Sequence, residues 1–375
     1  MAGTGPVGVG FIGTGMISNT YLEHLTQFPD VRVVILGDLV TDLAASQAEK
    51  WGVAASGSPD DVLAHPDVEI VVNLTIPAAH VPVSRAAIAA GKHVWCEKPI
   101  GVDREEARTL LAEADAAGLR VGIAPDTVLG PAVQTVRRAI ARGDIGQPLS
   151  AQTAMQYQGP DAFHPGPEFL FARGGGPVLD MGPYYVTALV SLFGPVARVG
   201  AVGLKSRQTR NVRVGDREGQ SFGVEVPTHV QAIAQFEGGA TSQSVFSWDS
   251  PLSRLGFFEV IGTEGTIRVP DPNHFVGEVA ITRQPAREDM LAEPVWVPVE
   301  STGAVAGRGL GVLDMARAIR AGAPHIATGE LGYHVFDTLM AIEESVGSGS
   351  FIEVQSTVGD IPLVPEDRDP FEATL

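Results

Sequence analysis

The sequence predicts an α/β protein with an N-terminal doubly wound parallel sheet and a C-terminal α+β domain whose sheet is mostly antiparallel and open-faced. Three observations indicate this fold. Short apolar strands alternate with helical patterns through the first third of the chain, and a glycine-rich turn joins the first strand to the first helix. From about residue 149 the pattern changes to pairs of strands around tight turns. We therefore predict one domain over residues 1–127 and a second over residues 128–375.

The first strand, over residues 7–12, runs into a turn that begins at Gly13, and residues 16–27 carry apolar side chains at helical spacing. A strand, a glycine turn and a helix in this order form a cradle for a pyrophosphate, because backbone amides and the positive helix end can approach the anion. A GxGxxG frame beginning at Gly8 also exists, but too few residues precede it to form a strand. We therefore place the turn at Gly13, with Ser18 in place of the third glycine.

A second predicted strand, over residues 31–36, is followed by Gly37 and Asp38. An acidic side chain about 20 residues beyond the glycines, at a strand end, is placed to accept hydrogen bonds from an adenosine ribose. Because Asp38 would repel a 2′-phosphate, the sequence favours NAD over NADP as the cofactor. The predicted cofactor contacts in this region are Gly13, Thr14, Gly15, Met16, Ile17 and Asp38.

The remaining elements of the first part continue the alternation and predict a parallel sheet. Ser58 is the predicted N-cap of one helix, with Pro59 at its first position, and Asp103 begins another with a capping-box pattern. The helix at Asp103 extends to residue 117. Further predicted helices cover residues 42–51, 80–90 and 131–142, and further predicted strands cover residues 69–75, 93–96 and 120–124.

In the second part, the turns Glu237-Gly238-Gly239 and Thr263-Glu264-Gly265 each lie between two apolar strands and predict hairpins. The predicted strands are residues 150–156, 229–236, 240–248, 257–262 and 266–269, and the predicted helices are residues 181–193, 310–321 and 329–346. We expect the open face of this sheet to be large and apolar. It therefore predicts a homodimer or homotetramer that forms through the C-terminal sheet.

Composition argues against several classes of partner. The formal net charge of −18 disfavours nucleic acid and an anionic membrane surface. No apolar run approaches about 18 residues and the N-terminus lacks a signal-peptide pattern, so we expect neither a membrane span nor secretion. A single cysteine, Cys96, predicts a reducing, cytoplasmic location. The nine histidines show no HExxH motif and no pairing with cysteine, so we predict no metal site.

Ligands of a doubly wound sheet bind at the carboxyl ends of its strands. Among the residues at these predicted ends, Lys98, in the run Glu97-Lys98-Pro99, has a reactive side chain. A lysine at this position beside a cofactor is placed for proton transfer. The alternative is a surface lysine before a turn proline, which would be the better interpretation if the glycine cradle were absent.

With these motifs the chain resembles the glucose–fructose oxidoreductase, inositol dehydrogenase and rhizopine-catabolism family (Gfo/Idh/MocA) over nearly its whole length. The resemblance lies in Gly13-Thr14-Gly15, Ile76-Pro77-x-x-His80, the run from Ala90 to Pro99, residues 143–146 and residues 174–182. It implies a nicotinamide-dependent dehydrogenase or reductase that acts on a sugar, polyol, cyclitol or glycoside hydroxyl. It also implies that Lys98 is catalytic, with Asp180 as its partner across the cleft. The cofactor contacts expected at the other strand ends are Thr75, Ile76, Pro77, His80, Glu97 and Lys98.

The chain departs from the family pattern at Tyr184, where many relatives have histidine. Asp180 and Tyr184 are four residues apart on a predicted helix, so both can point at one substrate carbon. We predict that Lys98 and Tyr184 form the proton relay and that Asp180 orients substrate hydroxyls. Which of Lys98 and Tyr184 takes the proton directly stays open, and a tyrosine packed in the domain seam is the alternative.

Other residues are candidates for substrate binding. Asp126 follows a predicted strand end, where it could bind a sugar hydroxyl or cap the following segment. Residues 157–173 are predicted to form a loop over the cleft, with aromatic faces that suit a sugar ring or an aglycone. The candidate substrate contacts are Asp126, Tyr157, His164, Arg173 and His334, and for the two histidines a structural role is the alternative.

The sequence thus supports an NAD-dependent oxidoreductase that moves hydride between the nicotinamide and a ring carbon bearing a secondary hydroxyl. One alternative is a hydrolase that holds NAD tightly and oxidises a glycoside transiently during cleavage. Another is a sugar or cofactor sensor without turnover, against which the presence of Lys98 argues.

Overall fold

The computed structural model describes residues 3–283 and 291–375. The chain forms two compact units, each with its own large sheet. The first unit comprises Met1–Gly130, Gly303–Tyr333 and Val364–Leu375, and the second comprises Pro131–Thr302 and His334–Leu363. These units divide the chain differently from the predicted domains, because two segments late in the sequence pack with the N-terminal sheet.

The described residues form 17 strands and ten α-helices. Numbered along the chain, the strands are β1 (Val7–Ile12), β2 (Val31–Gly37), β3 (Ala55–Gly57), β4 (Ile70–Asn73), β5 (His93–Cys96), β6 (Val121–Ile123), β7 (Pro148–Gln156), β8 (Val196–Leu204), β9 (Thr209–Asn211), β10 (Ser221–Gly223), β11 (His229–Phe236), β12 (Thr241–Ser247), β13 (Arg254–Gly262), β14 (Gly265–Arg268), β15 (Val279–Arg283), β16 (Val297–Val299) and β17 (Ile352–Glu353). The helices are α1 (Ser18–Leu25), α2 (Thr41–Trp51), α3 (Pro59–Ala64), α4 (Pro77–Ala89), α5 (Arg104–Ala116), α6 (Pro131–Ala141), α7 (Glu168–Phe171), α8 (Gly176–Phe193), α9 (Leu310–Ala321) and α10 (Gly329–Ser348).

The sheet of the first unit has six strands in the order β3-β2-β1-β4-β5-β6, and all neighbouring pairs are parallel. The strand order reverses between β1 and β4, and a doubly wound sheet opens its ligand crevice at such a point. The predicted parallel sheet is therefore confirmed. The edge strand β3 is not predicted from the sequence, because its three residues carry no apolar pattern.

Two glycines of β1 allow close packing of the strand. A Cβ on Gly8 would lie 1.7 Å from the carbonyl oxygen of Asp67, and a Cβ on Gly10 would lie 2.7 Å from a methyl group of Val62. Both glycines are strand residues rather than parts of a phosphate-binding turn. The turn therefore follows the strand at Gly13, as the chosen frame expects, and its contact with a pyrophosphate stays a prediction.

Helix α9 and the C-terminal residues are held to the rest of the first unit by one buried ion pair, one partly exposed ion pair and hydrogen bonds. Nε of Arg317 lies 2.7 Å from Oδ2 of Asp30, and the guanidinium of Arg320 contacts both carboxylate oxygens of Glu69 at 2.6 and 2.7 Å. The amide and hydroxyl of Thr374 also donate to Asp30. These contacts explain why late segments of the chain pack with the N-terminal strands.

The second unit contains a nine-stranded sheet in the order β16-β15-β14-β13-β7-β12-β11-β8-β17. The pair β7–β12 is parallel and the other neighbours are antiparallel. Both predicted hairpins, β11–β12 and β13–β14, form. Helix α8 packs against β7, β11 and β12 on one face of this sheet.

The other face of this sheet carries both apolar and polar side chains. Val202 is 68% exposed, Ile233 is 49% exposed, and Phe351, which lies over Gly200, is 53% exposed. The exposed Gln243 pairs directly with Ile233. The sequence analysis expects an apolar face, and the structure instead shows a face of mixed character.

Within residues 3–283 and 291–375, no helix has both the length and the apolar character that crossing a membrane requires. The same residues contain no group of three or more His, Cys, Asp or Glu side chains that could hold a metal ion. Cys96 is buried in β5, and burial raises the pKa of its thiol.

Candidate active site

The turn after β1 requires glycine at its first position. Gly13 has a φ of +100°, and a Cβ there would lie 2.7 Å from the carbonyl oxygen of Leu74, just past β4. A Cβ on Gly15, in contrast, would meet no heavy atom within 4 Å. The turn is therefore closed against the end of β4 and open on its other side.

The residues between the turn and α1 present backbone amides that suit a phosphate. In the described part of the chain, the amides of Gly15, Met16 and Ile17 donate to no backbone carbonyl. The buried Ser18, which begins α1, donates from Oγ to the carbonyl oxygen of Gly15 at 2.7 Å and so fixes the turn to the helix. Because amides at a helix N-terminus attract anions, this segment fits a pyrophosphate.

Asp38 immediately follows β2 at the same edge of the sheet. Its Oδ2 accepts hydrogen bonds from the amide and the hydroxyl of Thr14 at 2.7 and 2.9 Å, and its Oδ1 accepts from the amide of Val40 at 3.0 Å. Burial alone would raise the pKa of this carboxyl, but the hydrogen bonds from Val40 and Thr14 lower it overall. Leu39 beside it is 90% exposed. A charged acceptor next to an exposed apolar side chain suits an adenosine.

Asn73 at the end of β4 organises the turn that contains Thr75, Ile76 and Pro77. Its Nδ2 donates to the carbonyl oxygen of His80 at 2.9 Å, and its Oδ1 accepts from the amide and hydroxyl of Thr75 at 3.2 and 2.6 Å. Ile76 is 65% exposed beyond this turn. The sequence analysis did not single out Asn73, although an amide that ends an apolar strand is a usable signal.

His80, which the resemblance places among the cofactor contacts, is buried with 1% exposure. Its Nδ1 lies 2.6 Å from the carbonyl oxygen of Pro99, and its Nε2 lies 3.0 Å from that of Thr75. Burial lowers the pKa of this imidazole. Because the protein itself occupies both ring nitrogens, His80 connects two turns of the first unit and is not placed to contact a cofactor.

Lys98 follows β5 and lies at the same sheet edge as the glycine turn and Asp38. The amide of Glu97 donates to the carbonyl oxygen of Asn73 at 3.0 Å, which extends the β4–β5 pairing by one residue. Glu97 is 7% exposed, and its carboxylate accepts from the hydroxyl of Tyr21 at 2.8 Å and from the amide of Lys98 at 3.0 Å. The carboxylate of Glu97 therefore holds the backbone of Lys98 and is not presented to a cofactor.

Asp126 is fully buried in the first unit. Its Oδ2 accepts from the amides of Gly309 and Gly311 at 2.9 and 3.0 Å, at the N-terminus of α9. Burial raises the pKa of this carboxyl, and the nearby charge of Arg308 opposes the increase. The structure thus favours the capping role over the substrate contact, although the helix that Asp126 caps is α9 rather than the segment that follows it.

In the second unit, α8 carries Asp180 and Tyr184. Asp180 is half-buried and Tyr184 is 6% exposed. The helix begins at Gly176, earlier than the predicted start at residue 181. Asp180 therefore lies inside the helix, and its side chain shares a face with that of Tyr184 one turn later.

The segment from residue 157 to residue 173 carries several aromatic rings. Tyr157 stacks on Phe163 with ring centroids 6.2 Å apart, and Phe163 is 63% exposed. Burial, and then the charge of Asp180, raise the pKa of Tyr157. His164 packs edge-on against Phe169, which is also exposed, at 5.4 Å. Tyr157 thus connects the surroundings of Asp180 to an exposed aromatic surface.

The same segment is held to the sheet by a buried arginine that the sequence analysis missed. Arg210 donates to Asp161 at 2.7 Å, to Asp249, and to the carbonyl oxygen of Trp248 at 2.6 Å. The side chains of Arg210 and Asp161 are 3% and 2% exposed. The amide of Arg173 donates to the carboxylate of Glu225 at 3.0 Å while its side chain is exposed.

His334, a candidate substrate contact, is fully buried in the second unit. Its Nε2 accepts from the amide of Val196 at 2.9 Å, and its Nδ1 lies 3.0 Å from the hydroxyl of Ser356. No ring nitrogen is left for a substrate. The structural alternative considered for His334 therefore fits better than a binding role.

Comparison with known proteins agrees with the class of enzyme that this geometry defines, an NAD-binding oxidoreductase. Residues 7–124 match the family described as "Oxidoreductase family, NAD-binding Rossmann fold", and residues 133–268 match the "GFO/IDH/MocA C-terminal domain". The chain belongs to the GFO/IDH/MocA oxidoreductase family.

Individual relatives cover most of the chain. Trans-1,2-dihydrobenzene-1,2-diol dehydrogenase of Macaca fuscata fuscata is 30% identical over 289 residues, which are 76% of this chain and 80% of the relative. The 1,5-anhydro-D-fructose reductase of Ensifer adhaerens is 26% identical over 351 residues, 92% of this chain and 98% of the relative. The solved structure of levoglucosan dehydrogenase in complex with NADH and L-sorbose has a TM-score of 0.79 at 22% identity, and the match covers 94% of this chain and 100% of that chain.

Proposed function

We propose that this NAD-binding oxidoreductase interconverts a secondary hydroxyl and a ketone on the ring of a sugar, cyclitol or glycoside. The observation that carries the proposal is the edge of the first sheet. There the open amides after Gly13, the carboxylate of Asp38 and the side chain of Lys98 all follow strand ends. Because the six strands are parallel, a dinucleotide on the amides and Asp38 would extend along the edge to which Lys98 belongs.

The names of the relatives support this substrate class. They are a dihydrobenzenediol dehydrogenase, an anhydrofructose reductase and a levoglucosan dehydrogenase, the last solved with NADH and L-sorbose. From these names we infer that the substrate is a small molecule in which the carbon next to the reacting carbon carries a hydroxyl or a carbonyl group.

Bound NAD would supply the hydride acceptor or donor. We assign the proton of the reacting hydroxyl to Lys98 and Tyr184, and the orientation of neighbouring hydroxyls to Asp180. Tyr157 is a further substrate contact in this proposal, supported by its closeness to Asp180. His164 and Arg173 complete the proposed set.

We also propose that the protein acts in the cytoplasm as a homodimer or homotetramer. A single buried thiol suits a reducing compartment. The exposed Val202, Ile233 and Phe351 on the second sheet support assembly through that face.

The activity is tested by incubating the purified protein with NAD⁺ and a panel of sugars, inositols, 1,5-anhydro sugars and aryl glycosides. The expected result is the appearance of NADH absorbance with at least one member of the panel. Cleavage of a glycoside without net NADH would instead support the hydrolase alternative, and no reaction with any member of a broad panel would count against the proposal.

Two lysines at opposite ends of β5 provide a matched pair of variants. Lys98→Met should reduce turnover by about 10²–10⁴-fold while NAD⁺ still binds, because it removes a group that holds the proton. Lys92, just before the strand, donates to the carbonyl oxygens of His65 and Val68 at 3.0 and 2.7 Å. Lys92→Met should lower stability and leave turnover close to that of the wild type. Equal turnover in both variants would refute the role of Lys98.

A further inference from the structure

A buried chain of hydrogen bonds connects helix α1 to the backbone of Lys98. Nε1 of Trp95 donates to the phenolic oxygen of Tyr21 at 3.2 Å, and the hydroxyl of Tyr21 donates to Oε1 of Glu97 at 2.8 Å. The amide of Lys98 donates to Oε2 of Glu97 at 3.0 Å. Tyr21 and Trp95 are 0% exposed and Glu97 is 7% exposed. The chain therefore lies in the interior of the first unit.

The direction of each bond follows from the chemistry of the donors. An indole N–H can only donate, so the phenolic oxygen of Tyr21 accepts from Trp95 and its own proton points to Glu97. Burial, followed by the charges of Glu97 and Asp126, raises the pKa of Tyr21, so the phenol keeps this proton. Both carboxylate oxygens of Glu97 are then acceptors, and a rotation of the carboxylate would break both bonds.

The two ends of this chain lie at functional positions. Tyr21 is in the first turn of α1, whose N-terminus follows the open amides of the glycine turn. Lys98 is the residue to which we assign the substrate proton. Phenylalanine at position 21 would fill the same space, so packing alone does not require the hydroxyl. A buried hydroxyl stabilises the fold only when all its partners are present, and here they are Trp95 and Glu97. The hydroxyl of Tyr21 therefore orients the carboxylate of Glu97, which the ring of Tyr21 does not.

We propose that Tyr21 and Glu97 are positioning residues that couple the docking of a dinucleotide at the N-terminus of α1 to the backbone of Lys98. The proposal rests on the proposed function, in which Lys98 acts on the substrate proton. Neither residue touches the substrate. A dinucleotide that immobilises α1 immobilises Tyr21, which holds Glu97, and Glu97 holds the amide of Lys98.

The test is hydrogen–deuterium exchange with and without NAD⁺, combined with steady-state kinetics on a substrate from the panel. In the wild type, NAD⁺ should slow exchange at residues 15–18 and also at the amide of Lys98. In Tyr21→Phe, the slowing at residues 15–18 should persist and that at Lys98 should disappear. The kcat of this variant should fall about tenfold with little change in the substrate KM, because a displaced catalytic group affects the chemical step. Glu97→Gln, which has one acceptor oxygen instead of two, should behave in the same way.

Thr26→Val, at the C-terminal cap of α1, is the control. Oγ1 of Thr26 donates to the carbonyl oxygen of Leu22 at 2.7 Å at the far end of α1, so this variant also loses a hydroxyl hydrogen bond. It should lower the melting temperature and keep both the NAD⁺-dependent slowing at Lys98 and the kcat. Combining Tyr21→Phe with Glu97→Gln should cost no more kcat than either change alone, because both break one chain.

The proposal is overturned if Tyr21→Phe keeps the NAD⁺-dependent slowing at Lys98, or if it loses only stability, as Thr26→Val does. Failure of the proposed function has a different signature. In that case NAD⁺ does not slow exchange at residues 15–18 in the wild type, and the coupling proposal falls with it.

Discussion

At the scale of single residues, the roles of some side chains can be predicted from their neighbours in the sequence, and the roles of others depend on partners brought close by the fold. Asp38 has its two oxygens bonded to Thr14 and Val40, and hydrogen bonding keeps its pKa low despite partial burial. Asp38 and Lys98 can be predicted from the sequence because each lies within two residues of the end of an apolar strand. Tyr21 cannot be assigned in this way, since its partner Glu97 meets it only in the folded chain.

The charge of Asp38 should determine the choice between NAD and NADP. Asp38→Asn removes the negative charge that repels a 2′-phosphate and weakens acceptance from a ribose hydroxyl. We expect the preference for NAD over NADP, measured as the ratio of kcat/KM values, to fall by about tenfold. Asp42→Asn, an exposed acid in the first turn of α2, should leave the ratio unchanged. An unchanged ratio in Asp38→Asn would show that Asp38 does not face the ribose.

At the scale of elements, local sequence signals are reliable where a cap or a turn is formed by neighbouring residues. Ser58 caps α3 as predicted, with Asp61 returning the bond to complete a capping box. Helix α8 begins earlier than the sequence predicts. Gly176, Gly182 and Pro183 in its first turns disfavour a helix locally, so the sequence pattern points to a later start. Burial of Val178 and Leu179 outweighs that preference. Only the packing of the second unit supplies this contribution.

Two glycines of the cofactor turn should respond differently to the same substitution. Gly13→Ala places a Cβ against a carbonyl oxygen at positive φ, so it should lower the free energy of unfolding by more than about 1 kcal/mol. Gly15→Ala introduces its methyl group into open space and should leave stability nearly unchanged, yet weaken NAD⁺ binding at the exposed amides. Chemical denaturation and calorimetric titration with NAD⁺ separate the two effects. Undiminished NAD⁺ binding in Gly15→Ala would place the pyrophosphate elsewhere.

At the scale of the whole molecule, two features depend on contacts that span the sequence. Helix α9 joins the first unit through Arg317 and Arg320 although its sequence follows the second sheet. Half-buried His93 and fully buried His334 each accept a hydrogen bond from a backbone amide through a ring nitrogen. His93 accepts from the amide of Arg120 at 2.9 Å, and His334 accepts from that of Val196.

These histidines should make the fold sensitive to acid. Burial, and then the charge of Arg120, lower the pKa of His93 from 6.5 to about 4. A lowered pKa of a histidine means that its contribution to stability is complete above pH 6.5 and is lost as the pH falls toward 4. In His93→Gln, whose side chain can still accept a hydrogen bond, this part of the pH dependence should disappear. The measurement is the free energy of unfolding as a function of pH between these two values. The control is His274→Gln, because the side chain of His274 is 66% exposed in the wild type.

Assembly through the second sheet predicts a simple result in solution. Ile233→Lys places a charge in the middle of the exposed face and should dissociate the oligomer, because a buried, unpaired charge is costly. The control is Val276→Lys, because Val276 is also exposed, at 47%. The neighbouring residue, Phe275, accepts a hydrogen bond from the amide of Ala132 in α6. Sedimentation velocity should show a smaller species only for Ile233→Lys. A wild-type monomer would contradict the proposed assembly.

The sequence alone determined the alternation of strands and helices, the place of the glycine turn, and the side chains that follow the strands at Asp38 and Lys98. These features depend on neighbours a few residues apart, so periodicity and turn chemistry carry them. The tertiary structure alone decided that α9 belongs with the N-terminal sheet, that His80, Asp126 and His334 turn inward, and that Tyr21 and Glu97 hold Lys98. Each of these outcomes depends on which polar groups meet after burial, and a buried donor or acceptor must find its partner wherever the fold brings one.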